Sequence, residues 1–188
     1  MFDSVTALIV VDVQESFRHR AYWSDRDVPR FVERLQALID GAVARGIHVV
    51  QVFHADGVGP FSLESGYVRT MEGVSISPDA VFHKRSHSAL VGNGLDVWLV
   101  QHGIRRLIVS GIRTEQCCET TTRHASDLGY EVDFVAEATL TFAMTDRSGR
   151  VWSASDIRER TELVLADRFA QIVTVEIALE RAASEVTA

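Results

Sequence analysis

Residues 107–129 read Leu-Ile-Val-Ser-Gly-Ile-Arg-Thr-Glu-Gln-Cys-Cys-Glu-Thr-Thr-Thr-Arg-His-Ala-Ser-Asp-Leu-Gly, and the pattern changes character twice. Leu107 to Val109 is a β-branched apolar run that predicts a buried strand, and Ser110-Gly111 breaks it. Thr114 has the chemistry of an N-cap for a helix running to Gly129. Cys117 then falls in the first helical turn. The unpaired backbone N–H groups and positive dipole end there favour a thiolate, which predicts a lowered thiol pKa. A nucleophile and a small buried hydrophobe both fit that position, so other residues must decide between them.

Outward from this stretch the chain alternates strand and helix. Val5 to Val13 is nearly all apolar, as a parallel strand covered on both faces requires, and it carries Asp12 near its end. Ligands of open α/β sheets bind beyond the carboxyl ends of the strands, so Asp12 points to a crevice unless it only caps a turn. Residues 26–46 place Val28, Phe31, Val32, Leu35, Leu38, Ile39 and Ala42 at helical spacing, and Gly46 stops the helix. Ile47 to Phe53 is the second strand. A long irregular stretch with Gly57, Gly59, Pro60, Gly66, Gly73 and Pro78 follows, of a length that is uncommon without a function. Ala80 to Arg85 returns as a short strand delivering Lys84 and Arg85, then Leu95 to Gly103 reads as a short helix and Arg105 to Ser110 as the strand entering the opening stretch. Downstream, Tyr130 to Val135 is a strand, Glu137 to Ser148 a loop, Ser153 to Phe169 a helix capped by Ser153, and Gln171 to Val175 a last strand before a short helical tail.

This alternation predicts a mostly parallel sheet with right-handed crossovers and helices on both faces. In such a sheet Asp12, Lys84 and Cys117 all sit at carboxyl ends of strands and converge on one crevice. The 188 residues, with 46% hydrophobic and 24% charged, form one domain spanning 1–188 with a sizeable core. A net charge of −7 argues against a nucleic-acid surface. No apolar run approaches the roughly 20 residues of a membrane span, and Met1-Phe2-Asp3-Ser4 lacks the basic start of a signal peptide, so the expectation is a cytoplasmic protein. Two adjacent cysteines build neither a disulfide framework nor a Cys-x-x-Cys zinc site. Neither Gly-x-Gly-x-x-Gly nor a phosphate-binding Gly-x-x-x-x-Gly-Lys loop occurs, which leaves a nucleotide-binding reading without residues.

Three motifs in order, Leu8-Ile-Val-Val-Asp-Val-Gln-Glu-Ser-Phe17, His83-Lys-Arg-Ser-His-Ser-Ala-Leu90 and Val109-Ser-Gly-Ile-Arg-Thr-Glu-Gln-Cys-Cys-Glu-Thr-Thr122, resemble those of the isochorismatase-like cysteine hydrolases. The resemblance implies a three-layer α/β/α sandwich around a six-stranded, mostly parallel sheet, and an Asp12-Lys84-Cys117 triad. It implies a non-proline cis peptide between Ile112 and Arg113, with the backbone N–H groups of Arg113 and Cys117 forming an oxyanion hole. Cys118 stands where the family usually has valine and reads as structural.

The activity so implied is hydrolysis of an amide, ureido or lactam C–N bond of a small molecule through a thioester, with Asp12 as base and acid and Lys84 holding the developing charges. Gln14, on the face of Asp12, is a candidate for orienting substrate or triad. Phe17, Trp23, Phe61, Tyr67 and Phe142 either wall a pocket or pack their own loops. Nicotinamidases of the family carry an Asp-x-His metal site after the second strand with further histidines. Here Phe53-His54-Ala55-Asp56-Gly57 reverses that order, with no second histidine before His83, so no metal or other cofactor is expected. His83 and His87 read as loop residues beside Lys84. Arg85 and Arg113 are candidates for a substrate carboxylate, Arg113 alternatively for a neighbouring subunit, and the family implies a homodimer or homotetramer. A vinyl ether hydrolase, a non-catalytic scaffold of the same fold, and a redox protein using the strained Cys117-Cys118 pair are the competing readings.

Overall fold

A computed structural model of the chain describes residues 5–183. Six strands form one sheet in the order β3-β2-β1-β4-β5-β8, with every neighbouring pair parallel. They are β1 (Thr6–Val11), β2 (His48–His54), β3 (Ala80–Lys84), β4 (Arg106–Ile112), β5 (Glu131–Leu140) and β8 (Gln171–Ile172). Short β6 (Met144–Thr145) and β7 (Val151–Trp152) pair antiparallel outside this sheet. The helices are α1 (Val28–Ala44), α2 (Leu95–Gln101), α3 (Glu119–Asp127), α4 (Ala154–Leu165) and α5 (Val175–Ala183). Among the described residues no helix is long and apolar enough to cross a membrane.

Alternation along β1 builds the three layers. Successive side chains of a strand leave opposite faces. Leu8 and Val10 pack into a cluster with Leu35, Leu38 and Ile39 of α1 and Ala178 and Leu179 of α5. Ala7, Ile9 and Val11 pack into a second cluster with Leu95 and Leu99 of α2, Ala125 of α3 and Leu165 of α4. All six residues of β1 are buried, as a strand covered by helices on both sides demands. The expected α/β/α architecture is therefore the observed one.

Several boundaries differ from the sequence expectation. The first strand stops at Val11, because Asp12 takes a left-handed backbone conformation with φ 52°. The expected loop from Glu137 instead continues β5 to Leu140, and its far part contains the β6–β7 pair. Polar Glu137 and Thr139 disguise that extension. Glu137 is paired with Arg34 of α1 at 2.6 Å and accepts from the Val175 N–H, while Thr139 Oγ1 meets Thr114 Oγ1 at 2.7 Å. α4 ends at Leu165 rather than Phe169, and the last strand is only two residues because α5 begins at Val175.

β4 carries the geometry that serves the site. Its register against β5 shifts between Val109 and Gly111, and Gly111 takes φ +125°. A Cβ there would lie 1.9 Å from the Val11 carbonyl oxygen, so only glycine lets β4 run this close to the end of β1. The Ile112–Arg113 peptide bond is cis. Thr114 is not the cap the sequence suggests. Extended Arg113 precedes a wide π-type turn over Thr114–Cys118 that leads into α3.

Candidate active site

Register alone brings the three expected residues to one edge of the sheet. Val11 pairs with Val52 of β2 and Gly111 of β4, and His54 pairs with Lys84. The ends of β1, β2, β3 and β4 are thus level. Asp12 follows β1 with its N–H on the Val52 carbonyl at 2.8 Å, Lys84 closes β3, and Cys117 lies in the turn after β4. Lys84 Nζ stands 2.8 Å from Asp12 Oδ2 and 3.3 Å from Cys117 Sγ. Asp12 and Lys84 are completely enclosed and Cys117 is 6% exposed, so the pair is read in a low dielectric.

Two further contacts complete the ammonium's surroundings. The Ser86 carbonyl accepts at 3.0 Å, and His54 Nδ1 lies at 3.2 Å. His87 Nδ1 stands 3.8 Å from Cys117 Sγ on the exposed side. Sequence reasoning weighed His54 with Asp56 as a metal pair, set that aside for a hydrogen-bonded loop pair, and left His87 as a loop residue. The pairing of β2 with β3 was the available signal for His54, since the last residue of one strand faces the last of the next.

Burial sets the proton affinities. Desolvation pushes the Asp12 carboxyl above the usual carboxylate range, against the pull of Lys84. Burial works against the Lys84 ammonium, but Asp12 and Cys117 outweigh it and its pKa is raised. The Cys117 thiol is raised too, first by burial and then by the Asp12 charge, with Lys84 only partly offsetting them. This corrects the expected lowering at a helix start: a terminus effect of about 0.3–1 kcal/mol is smaller than the desolvation of a buried thiolate beside a carboxylate. Burial thus favours the thiol form of Cys117, with the Asp12 carboxyl and the Lys84 ammonium beside it.

Asp12, His54 and Cys117 also offer one oxygen, one nitrogen and one sulfur within 4.8 Å of one another, a set that could hold a metal ion. Lys84 Nζ touches all three, so the ammonium is the cation they share. The His54-Asp56 pair considered from sequence does not fit a metal site of the Asp-x-His kind. His54 faces Lys84, while Asp56 is exposed and accepts from its neighbour's Gly57 N–H at 2.6 Å.

Gln14 is buried, and its amide is committed to protein. Oε1 accepts from the His54 N–H at 2.8 Å, and Nε2 donates to the His54 carbonyl at 3.0 Å and Ser16 Oγ at 2.8 Å. Both amide protons are used within the protein, so of the two roles expected, orienting substrate or triad, these contacts favour the second, through His54 beside Lys84. Phe17 packs edge-on against Phe61 at 5.0 Å between ring centroids and belongs to the core cluster under α1. It is buried there and packs its own loop, which is one of the two roles that the sequence left open. The Arg113 guanidinium is buried, paired with Glu115 at 2.8 Å and set 4.7 Å over the Tyr22 ring, with Phe142 at 5.8 Å, whereas Arg85 is exposed. Cys118 is fully buried in the cluster under α2 and α3, consistent with packing.

An open parallel sheet with reactive side chains gathered at the carboxyl ends of its strands is the architecture of α/β enzymes. The chain matches the Isochorismatase domain over residues 6–176 and belongs to the isochorismatase family of hydrolases. It is 26% identical to the isochorismatase family protein YrdC of Bacillus subtilis (strain 168), over 90% of this chain and 92% of that one. It is 29% identical to the nicotinamidase of Escherichia coli (strain K12), over 70% and 81% of the two chains. Identity to the ureidoacrylate amidohydrolase RutB of Acinetobacter baylyi is 30%, over 66% of each. The solved cysteine hydrolase of Pseudomonas syringae pv. phaseolicola superposes with a TM-score of 0.86 at 25% identity, covering 95% of this chain and 92% of that one.

Proposed function

We propose that this hydrolase cleaves the C–N bond of a small amide, ureide or lactam through a thioester on Cys117. The observation that carries the reading is the Lys84 ammonium held between Asp12 Oδ2 and Cys117 Sγ. Asp12 takes the thiol proton as Sγ attacks the carbonyl carbon, and Lys84 keeps carboxylate and sulfur in register while charge moves between them. A buried carboxylate of raised pKa is a better proton acceptor than a solvated one, and a thiol of raised pKa needs one. The backbone N–H groups of Arg113 and Cys117 take the oxyanion. Collapse of the tetrahedral intermediate breaks the C–N bond as Asp12 passes its proton to the leaving nitrogen. Asp12 then draws a proton from water, which attacks the thioester, and returns that proton to sulfur as the C–S bond breaks, freeing the acid and the thiol.

Two relatives whose names denote an amidase and an amidohydrolase support the bond type. Within this reading the protein is a cytoplasmic homo-oligomer of two or four copies acting without a metal. The test is ammonia release from primary amides and ureido acids, and appearance of the ring-opened amino acid from lactams, with the acyl-enzyme sought by mass spectrometry. Cys117→Ala should lower turnover by about a thousandfold or more while leaving the circular dichroism and melting curve unchanged. A Cys117→Ala protein that still turns over sinks the mechanism. Cleavage of a vinyl ether such as isochorismate, with every amide inert, replaces the bond type.

A further inference from the structure

We infer that His54 is a fourth, positioning member of this site, whose Nδ1 accepts a hydrogen bond from Lys84 and holds the ammonium at the point shared by Asp12 and Cys117. Its effect on turnover rests on the hydrolase reading, but its geometry does not. A lysine ammonium ends a flexible four-carbon stem and has three protons to place. Around Lys84 Nζ stand Asp12 Oδ2, the Ser86 carbonyl, His54 Nδ1 and Cys117 Sγ, four acceptors for three protons. Asp12, Ser86 and His54 come from three separate segments and fix Nζ in space. The contact to sulfur is the longest of the four, and it is the one that strengthens as a thiolate develops.

The imidazole is itself held. Gln14 clamps both backbone groups of His54, with its oxygen on the N–H at 2.8 Å and its nitrogen on the carbonyl at 3.0 Å. The ring lies edge-on to Phe61, 5.7 Å between centroids. To accept from an ammonium, Nδ1 must be bare and the ring neutral, with its proton on Nε2. Burial and then the Lys84 charge hold the His54 pKa below its usual value, with His87 acting in the same direction and Asp12 and Asp56 opposing. Protonating the ring removes the acceptor and sets a second cation beside the first, so acid releases Lys84.

The test reads the thiol without any substrate. The rate of Cys117 alkylation by iodoacetamide, located by mass spectrometry, is followed against pH in the wild type, His54→Phe and His54→Asn. Phenylalanine keeps the ring and loses the acceptor, whereas asparagine sets a non-titrating oxygen near the place of Nδ1. The Phe variant should lose roughly tenfold or more in rate, in line with a hydrogen bond to a charged group. The Asn variant should recover most of that loss, with its acid limb moved to lower pH. An unchanged rate in His54→Phe overturns the inference, as does an Asn variant with the wild-type pH profile. Should the Phe variant melt early, the Asn profile decides alone. Alkylation behaving as expected in a protein that hydrolyses no amide overturns the proposed reaction and leaves the role of His54 standing.

Discussion

Exchanging Lys84 for methionine keeps the aliphatic stem and removes the one charge that neutralises Asp12 inside the protein. A buried ion pair broken on one side costs about 3–5 kcal/mol, because the remaining charge is uncompensated. The cost depends on pH with a definite sign. Asp12 has a folded-state pKa raised above its unfolded value, and losing Lys84 raises it further. The native state then binds the proton more readily than the unfolded chain, so stability falls as pH rises through that folded pKa. Urea unfolding of Lys84→Met should show its largest deficit at pH 8 and a smaller one at pH 5; a deficit independent of pH contradicts an ionised Asp12. Asp12, Lys84 and Cys117 were legible in the sequence because each follows an apolar run that announces a strand end. His54 as a partner of Lys84 was not legible, since that contact exists only through the pairing of β2 with β3. The acidity of Cys117 was misread for a related reason: helix position is visible in one dimension, burial beside a carboxylate is not.

Gly111 is where a backbone requirement meets the site most directly. Gly111→Ala would set a methyl group against the Val11 carbonyl at a backbone angle that L-residues rarely adopt. The clash is backbone on backbone, with no side chain to yield. A destabilisation of roughly 4 kcal/mol or more is expected, seen as loss of soluble protein or of the cooperative urea transition. Normal stability in this variant would mean that β4 does not approach β1 so closely. Other elements differ in how far sequence reveals them. Ser153 was recognisable as a cap, and its Oγ accepts from the Asp156 N–H while Asp156 Oδ2 accepts from the Ser153 N–H, a reciprocal capping box that local residue types specify. The end of β5 was hidden, because Glu137 and Thr139 look like loop residues until Arg34, Val175 and Thr114 arrive from distant parts of the chain to satisfy them.

Each helical layer has its own apolar cluster, but both clusters are built on the same sheet. Leu38 of α1 and Leu99 of α2 are fully buried on opposite sides of it. Leu38→Ala and Leu99→Ala should each cost about 2–5 kcal/mol. Each should shift one common unfolding transition, with the two losses adding in the double variant to within about 0.5 kcal/mol. Two separate transitions in thermal unfolding would show that the layers fold independently.

The central place of β1, between β2 and β4, also has a temporal consequence. Residues 12, 84 and 117 meet only after strands distant in the chain have paired in parallel, and non-local pairing of this kind is slow. Until then Asp12, Lys84 and Cys117 have no claim on one another. The site therefore belongs to the sheet and to no local segment: a chain in which β1 has not paired with both β2 and β4 does not bring all three side chains together.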